Sequence, residues 1–285
     1  MIARKTTPVK APAKAPAKLA KPAKSPAPVP KTKPDRHFVT ALARGLDVLS
    51  CFRSGDKQLG NQDIAQRCKL PKSTISRLTY TLTKLGYLHH NDESGKYRLG
   101  VATLGLGSAM LARLDARQMA RPLMQELADF SHGMVSLGMR DKLAMIYVEN
   151  CRSESALTLS LDIGSRIPLA TTAMGRAYLA VIAESERTEL LERIRGRDEK
   201  AWPGIRAGIE KGLKQYRDIG CCCSFGEWQK DVNAIAVAFQ PGGGLPAMAI
   251  SCGGPAFNLD AKFLTDKVRP RLVDMVRRIE ASLGS

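Results

Sequence analysis

Residues 61–85 read NQDIAQRCKLPKSTISRLTYTLTKL, and the fold of the first third of the chain turns on them. Asn61 has the side chain of an N-cap, and Asp63 then falls in a first helical turn, where the helix dipole favours a carboxylate. Ile64 and Ala65 give this short helix an apolar face, and Cys68 ends it. Lys69 and Leu70 make a tight corner, and Pro71 restarts the chain as a helix at the position where its missing N–H costs nothing. In this second helix Ile75, Leu78, Leu82 and Leu85 recur at steps of three or four, which predicts one buried stripe. Lys72, Ser73, Thr74, Ser76, Arg77 and Tyr80 point away from that stripe. The pattern predicts a helix-turn-helix that reads a major groove. Hydroxyls can bond base edges or phosphates, Arg77 can grip a guanine bidentately, and Lys72 sits where a helix N-terminus meets the backbone. Two amphipathic helices also fit a plain helical bundle, so the next residues matter. Gly86-Tyr87-Leu88 stops the helix, and HHNDESGKYRLG at 89–100 reads as strand, turn at 92–95, and returning strand. A hairpin just after a recognition helix is a wing, with Lys96 and Arg98 set to lie against phosphate or the minor groove.

Outward from this stretch, Thr40–Phe52 places Leu42, Leu46, Leu49 and Phe52 at helical spacing, the first helix of the supporting bundle. Arg44 on it reaches a phosphate or is simply an exposed helix residue. Residues 1–35 are built from Lys, Ala and Pro, with APAKAPAKLAKPAK as a near-repeat and half of the sixteen prolines. Such a segment buries too little to offset its ordering entropy, which predicts a solvated basic tail. The net charge of +17 is uneven: residues 1–36 hold ten Lys and Arg against one acid, residues 37–100 ten against five, and the rest 24 against 21. Positive charge thus concentrates on the reader and its leader, which points to a polyanionic partner, double-stranded DNA.

The 285 residues allow one large or two modest domains. No apolar run approaches the roughly 20 residues of a membrane helix, so no membrane partner is expected. The start, MIARKTTPVK, lacks the apolar core of a secretory signal, and seven irregularly spaced Cys suggest reduced thiols. Both favour the cytoplasm. Residues 101–117, VATLGLGSAMLARLDAR, are apolar over much of their surface, which predicts a linker helix that buries a side against a second subunit. From Gln118 to the C-terminus, helices are expected at 118–132, 171–183, 185–194, 205–219 and from Asp260 to about Ser282. Strands are expected at 134–139, 144–149, 157–161, 220–225, 232–239 and 245–252, with Asp141-Lys142 as one hairpin turn. The fold class is α+β: a winged helix-turn-helix (36–100), a linker helix (101–117) and a mixed domain (118–285) with helices packed on a sheet.

At this point the chain resembles the IclR family of bacterial transcription regulators, from Thr40 to the C-terminus. The resemblance rests on ALARGLDVL, LPKSTISRL, LGYLHHNDESGKYRLG, IPLATTAMGRAYLA and DVNAIAV, of which IPLATTAMGRAYLA (167–180) is the most diagnostic. It implies a C-terminal effector-binding domain with a GAF-like sheet, dimers or dimers of dimers, and response to small organic or aromatic acids. It also implies a pocket lined by Thr171, Thr172, Ala173, Met174 and Gly175, where helix-start N–H groups suit a carboxylate and Gly175 admits close approach. The opposite wall is the strand at 232–236, including Val232, Ala234 and Ala236. The family frequently places an acid after the strand at Cys221–Cys223, where this chain has Ser224, and a cysteine where Ala234 stands. Both departures remove polar or reactive groups and point to a different effector.

Catalytic and metal chemistry find no footing in the sequence. Cys221, Cys222 and Cys223 alternate faces on a strand and cannot all turn to one ion, and no second ligand set lies near. The histidines are His37, His89, His90 and His132, no catalytic carboxylate pair stands out, and PGGG at 241–244 lacks the Lys-Ser/Thr of a nucleotide loop. No cofactor and no enzyme activity are expected. The expected function is a ligand-responsive regulator that binds a near-palindromic operator as a dimer; the rival is an architectural, largely nonspecific DNA-binding protein driven by the tail.

Overall fold

The computed structural model describes residues 36–53, 55–153 and 161–283. The described residues divide into two units, 36–42 and 43–283. The basic tail lies outside the described residues, as does the strand expected at 157–161 except for Leu161.

The helix-turn-helix is present. α1 (Thr40–Ser50), α2 (Asn61–Cys68) and α3 (Lys72–Lys84) precede a hairpin of β1 (Leu88–Asn91) and β2 (Lys96–Leu99). Val48, Leu59, Ile64, Ile75 and Leu88 form its core. The α2–α3 corner works because Lys69 takes a left-handed φ of 54° and Leu70 donates its amide to the Ala65 carbonyl at 3.2 Å. Leu59 exchanges backbone hydrogen bonds with Tyr97 at 2.9 and 2.8 Å, which adds a third short edge to the wing.

Four local expectations need correction. Gly60, not Asn61, is the N-cap of α2; Asp63 accepts from the Gly60 amide at 2.9 Å, and the Asn61 carboxamide is freed to bond Thr79 and Ser76 on α3. Pro71 is the N-cap of α3, one residue outside it. Leu85 is 61% exposed, because it is the C-cap and the stripe has already rotated away; the buried place goes to Thr79, whose hydroxyl is satisfied by the Ile75 carbonyl at 3.0 Å. Leu42 and Leu46 also face outward, since α1 buries only Val48 fully and packs Leu49 beside it.

The linker helix α4 (Val101–Leu111) ends at Leu111, six residues before the expected end, and α5 (Asp115–Ser131) begins before Gln118. α4 is apolar all round and buries no residue. Beyond it lies one six-stranded antiparallel sheet, in the order β5-β4-β3-β8-β7-β6. Its strands are β3 (Met134–Asp141), β4 (Ala144–Arg152), β5 (Arg166–Pro168), β6 (Cys222–Phe225), β7 (Val232–Phe239) and β8 (Met248–Pro255). Strand alternation splits the sheet into two faces. Val135, Leu137, Ile235, Val237 and Ile250 pack under α5 and the C-terminal helix α10 (Arg269–Leu283), which continues the one-turn helix α9 (Ala261–Phe263) through a π-helical turn at Leu264–Val268. Met134, Met145, Tyr147, Ala236 and Ala249 pack under α6 (Ala173–Val181), α7 (Glu184–Arg195) and α8 (Trp202–Ile219). The three cysteines obey this alternation: Cys221 and Cys223 join the first face and Cys222 the second. Among the described residues no group of three or more His, Cys, Asp or Glu is placed to hold a metal, and no helix is long and apolar enough to cross a membrane.

Candidate functional site

Two sites emerge, one on each domain. On α3, Lys72, Ser73, Ser76, Arg77 and Tyr80 are exposed and Thr74 is half-buried, so the candidate reading residues share the outward surface. Burial of Ile75 and Thr79 fixes which side of the helix that is. Their side chains differ in freedom. Ser76 donates to the Lys72 carbonyl at 3.1 Å and accepts from Asn61, and Lys72 reaches Gln62 at 3.4 Å. No hydrogen bond or ion pair is found for the Arg77 guanidinium among the described residues, whereas the Tyr80 ring carries the Lys84 ammonium at 5.6 Å. Lys96 and Arg98 sit two apart on β2, so they share one face of the wing, and both are exposed. Arg44 is exposed on α1.

The base under this face is stiffened by an ion pair. Asp56 accepts from both Arg67 nitrogens and from the Arg53 amide at 2.7 Å, while Arg67 also donates to the Cys51 carbonyl at 2.9 Å. These hydrogen bonds hold the Asp56 carboxyl down at about 2.

The second site is a cavity between the sheet and the start of α6. Thr172 caps α6: its hydroxyl donates to the Pro168 carbonyl at 2.7 Å and accepts from the Gly175 amide at 3.1 Å. That leaves the first amides of α6, those of Ala173 and Met174, without partners inside the helix. Thr172, Ala173, Met174, Ser224, Val232 and Ala234 line the cavity as expected. Thr171, Gly175 and Ala236 do not. Gly175 serves packing instead, because a Cβ there would overlap the Leu169 backbone, so its missing side chain admits the chain itself and not a ligand. Ala236 is buried under α6, paired with Cys222. Thr171 contributes its carbonyl, which accepts from the Ser224 hydroxyl at 3.1 Å.

Ser224 lies within β6, not after it, and the acid that follows is Glu227, which is engaged by Arg176 and Lys211. Met134, Tyr147, Ile167, Trp228, Ser251 and Gly253 complete the lining and escape a sequence reading. They come from β3, β4, β5, β8 and the β6–β7 loop, and only the sheet order brings them together. Period-two alternation does place Met134 and Tyr147 on one face, but not which helix covers it. Among the described residues the polar lining is the hydroxyls of Thr172, Ser224, Ser251 and Tyr147 and the indole N–H of Trp228, with no charged side chain. Burial pushes the Tyr147 phenol up to about 12, so it stays a neutral donor. The cavity is small, ≈ 30 Å³, room for about two waters.

Chemically, the arrangement offers hydroxyls and helix-start amides in an otherwise apolar slot. It holds no nucleophile with an adjacent base. The buried thiols reinforce this, since burial pushes Cys151 and Cys252 up to about 11 and so disfavours their thiolates.

The comparisons with known proteins agree with both halves. The IclR helix-turn-helix domain matches residues 41–92, and the bacterial transcriptional regulator IclR C-terminal domain matches residues 108–281. The chain is 34% identical over 247 residues to the HTH-type transcriptional regulator TsaQ1/TsaQ2 of Comamonas testosteroni, covering 86% of this chain and 88% of that one. It superposes with a TM-score of 0.81 on an IclR family transcriptional regulator from Brucella abortus, 45% identical, covering 90% of this chain and 96% of the other. An IclR homologue from Microbacterium hydrocarbonoxydans, complexed with 4-hydroxybenzoate, shares the fold at a TM-score of 0.63 and 22% identity, covering 85% and 97% of the two chains. Matched over both its DNA-reading and its C-terminal domain, the chain belongs to the IclR family and is a transcriptional regulator, not an enzyme.

Proposed function

We propose that this regulator binds a near-palindromic operator as a homodimer in the cytoplasm and releases or engages it in response to a small organic or aromatic monoacid. The observation that carries the reading is the presence, among the described residues, of both an unpartnered Arg77 on the outward face of α3 and a cavity at the α6 N-terminus whose lining carries no charge. Arg77 reads a base, Lys72 and the wing residues Lys96 and Arg98 hold phosphates, and Ser73, Thr74, Ser76 and Tyr80 set the fit along the groove. Arg44 adds a phosphate contact from α1.

The effector's single carboxylate lies at the Ala173 and Met174 amides beside Thr172 and Ser224. Its apolar body lies against Met134, Ile167, Met174 and Trp228, with Val232 and Ala234 opposite. Ser251 and Tyr147 are left for a distal hydroxyl. With no cation in the lining, a second carboxylate would be buried without a partner, which selects against diacids. In domain terms, residues 36–100 read DNA, 101–117 join subunits and 118–285 sense. Support for the dimer comes from α4, which buries nothing of its own although Val101 is 85% and Leu104 68% exposed.

Fluorescence anisotropy against DNA from upstream of the protein's own gene and a scrambled control, at near-physiological salt, tests the reading. A preference of about a thousandfold or more is expected. Equal, steeply salt-dependent binding to both would transfer the role to the basic tail and to the architectural alternative. 4-Hydroxybenzoate is the first effector probe, read as a rise in melting temperature.

A further inference from the structure

One wall of the cavity is unlike the rest. Strands and α6 form most of it, but Trp228 stands on the six-residue loop between β6 and β7. That loop is fastened from outside the sheet. Glu227, next to Trp228, accepts from Arg176 of α6 and, at 3.0 Å, from Lys211 of α8. Arg176 is 3% exposed and fully committed: it donates to the Ala170 carbonyl at 3.1 Å as well, and its stem lies in a notch cut into α8 by Gly208 and Gly212. Any Cβ at Gly212 would come within 2.9 Å of the Arg176 Cδ. The same Arg176 follows Gly175 on the helix whose N-terminus floors the cavity. Against the burial that would raise it, the bonds from Arg176 and Lys211 hold the Glu227 carboxyl below its usual range.

The cavity needs a moving wall, because room for about two waters is far below what an aromatic acid occupies. The inner strands β3, β4, β7 and β8 are paired on both sides, the edge strands β5 and β6 are paired along their whole length on one, and α6 is pinned by Gly175 against Leu169, so none of these can withdraw without breaking the core. The loop can. Its backbone bonds, the Gly226 amide to the Val232 carbonyl at 3.0 Å, the Val232 amide to the Gln229 carbonyl at 3.0 Å and the Ala256 amide to the Asp231 carbonyl at 2.8 Å, flank Glu227 and Trp228 and involve neither.

We propose that Arg176, Glu227 and Lys211 form a charge latch that holds Trp228 as the movable wall of the effector pocket, so that release of Glu227 opens the pocket and its capture seals it. They are positioning residues and touch no ligand. The proposal rests on the effector-pocket reading for its purpose, but the latch can be tested without any effector.

The experiment uses the full chain carrying Trp202→Phe, so that only Trp228 of the two tryptophans remains. Acrylamide quenching of Trp228 is compared in this background and after adding Glu227→Gln, with Arg176→Met as a second variant that keeps the stem in its notch. Hydrogen exchange by mass spectrometry follows the 226–231 amides. Both variants are expected to raise quenching severalfold and to speed exchange of that loop roughly tenfold or more, as loss of a charge-assisted bond implies. Trp228 as shielded as before would overturn the latch. So would faster exchange spread over every strand, which assigns the pair to fold stability alone. If the loop opens as expected but benzoate and 4-hydroxybenzoate fail to slow its exchange, the latch stands and the aromatic-acid reading falls.

Discussion

Arg77 and Lys72 lie five residues apart on one helix, yet their chemistry assigns them different work. A guanidinium with no partner among the described residues is available for a bidentate grip on a base, whereas the Lys72 ammonium is a point charge at a helix start. Arg77→Ala is expected to remove about 1–3 kcal/mol of base discrimination. Lys72→Ala should weaken operator and random DNA alike and flatten the salt slope by about one. Binding titrations over a salt series separate the two, and equal losses on both DNAs for Arg77→Ala would end its assignment as a reader. Asp56 gives a pH signature at the same scale. Its folded pKa, about 2, lies below the ordinary 3.8. The contribution of its charged form is therefore complete above about pH 4 and is lost as pH falls through about 2. The melting-temperature gap between the parent and Asp56→Asn should be constant near neutrality and close across that acid window; a gap that persists to the bottom of it would show that the Arg67 pair does not stabilise the reader. This pair was not legible in the sequence: eleven positions separate Asp56 from Arg67, and nothing in the intervening residues says that a loop folds back on α2.

Among the elements, α5 shows how a helix is fixed to a sheet by charge. Glu149 on β4 is 1% exposed, and Arg117 and Arg121 of α5 meet its two oxygens at 2.8 and 2.7 Å. Arg117 adds a bond to the Val148 carbonyl at 3.1 Å. The three groups are not equal, since the carboxylate is sealed in while Arg121 remains half exposed. Removing both arginines strands a buried charge, at a cost of about 3–5 kcal/mol. Glu149→Gln leaves cations that can turn to water and should cost less than half as much. Urea denaturation of Glu149→Gln and of the double Arg→Ala variant checks the order, and a reversed order would mean that the arginines are not what makes Glu149 tolerable. Strand spans in this domain were largely readable from periodicity: those expected at 134–139 and 144–149 run two and three residues further, and that at 232–239 keeps its bounds. The misreadings cluster at ends and breaks: the caps at Gly60 and Pro71, the exposed Leu85, and the interruption at 112–114 between α4 and α5. Caps depend on one residue's φ and ψ, which composition does not encode. The pocket was half legible for a different reason. Its helix-start half is contiguous in sequence, while Tyr147, Ser251 and Trp228 come from three separate segments that only pairing order unites.

Over the whole molecule, apolar surface is spent unevenly. The sheet domain hides its large aliphatics on two faces, while Leu46, Leu99, Val101, Leu104 and Leu106 on α1, β2 and α4 stay in water. Partnering between subunits is the economical account of that contrast. Leu46→Glu with Leu104→Glu should leave circular dichroism unchanged, give a monomer by sedimentation velocity, and lower operator affinity far more than affinity for a single half-site. Unchanged dimers would place the interface elsewhere.

The strand order carries a consequence for the making of the protein. β3 stands at the middle of the sheet, and its inner neighbour is β8, with Met139 opposite Met248. More than a hundred residues must leave the ribosome after β3 before the strand that completes the middle of its sheet exists, roughly 5–20 s of synthesis at about 5–20 residues per second. The helix-turn-helix needs nothing beyond residue 100 for its own core and is free to fold throughout that interval. Each new chain therefore exposes a finished DNA-reading surface and sticky α1 and α4 well before it owns a sensor. Nascent chains of one transcript are at their most adhesive during that interval, while they are tethered side by side.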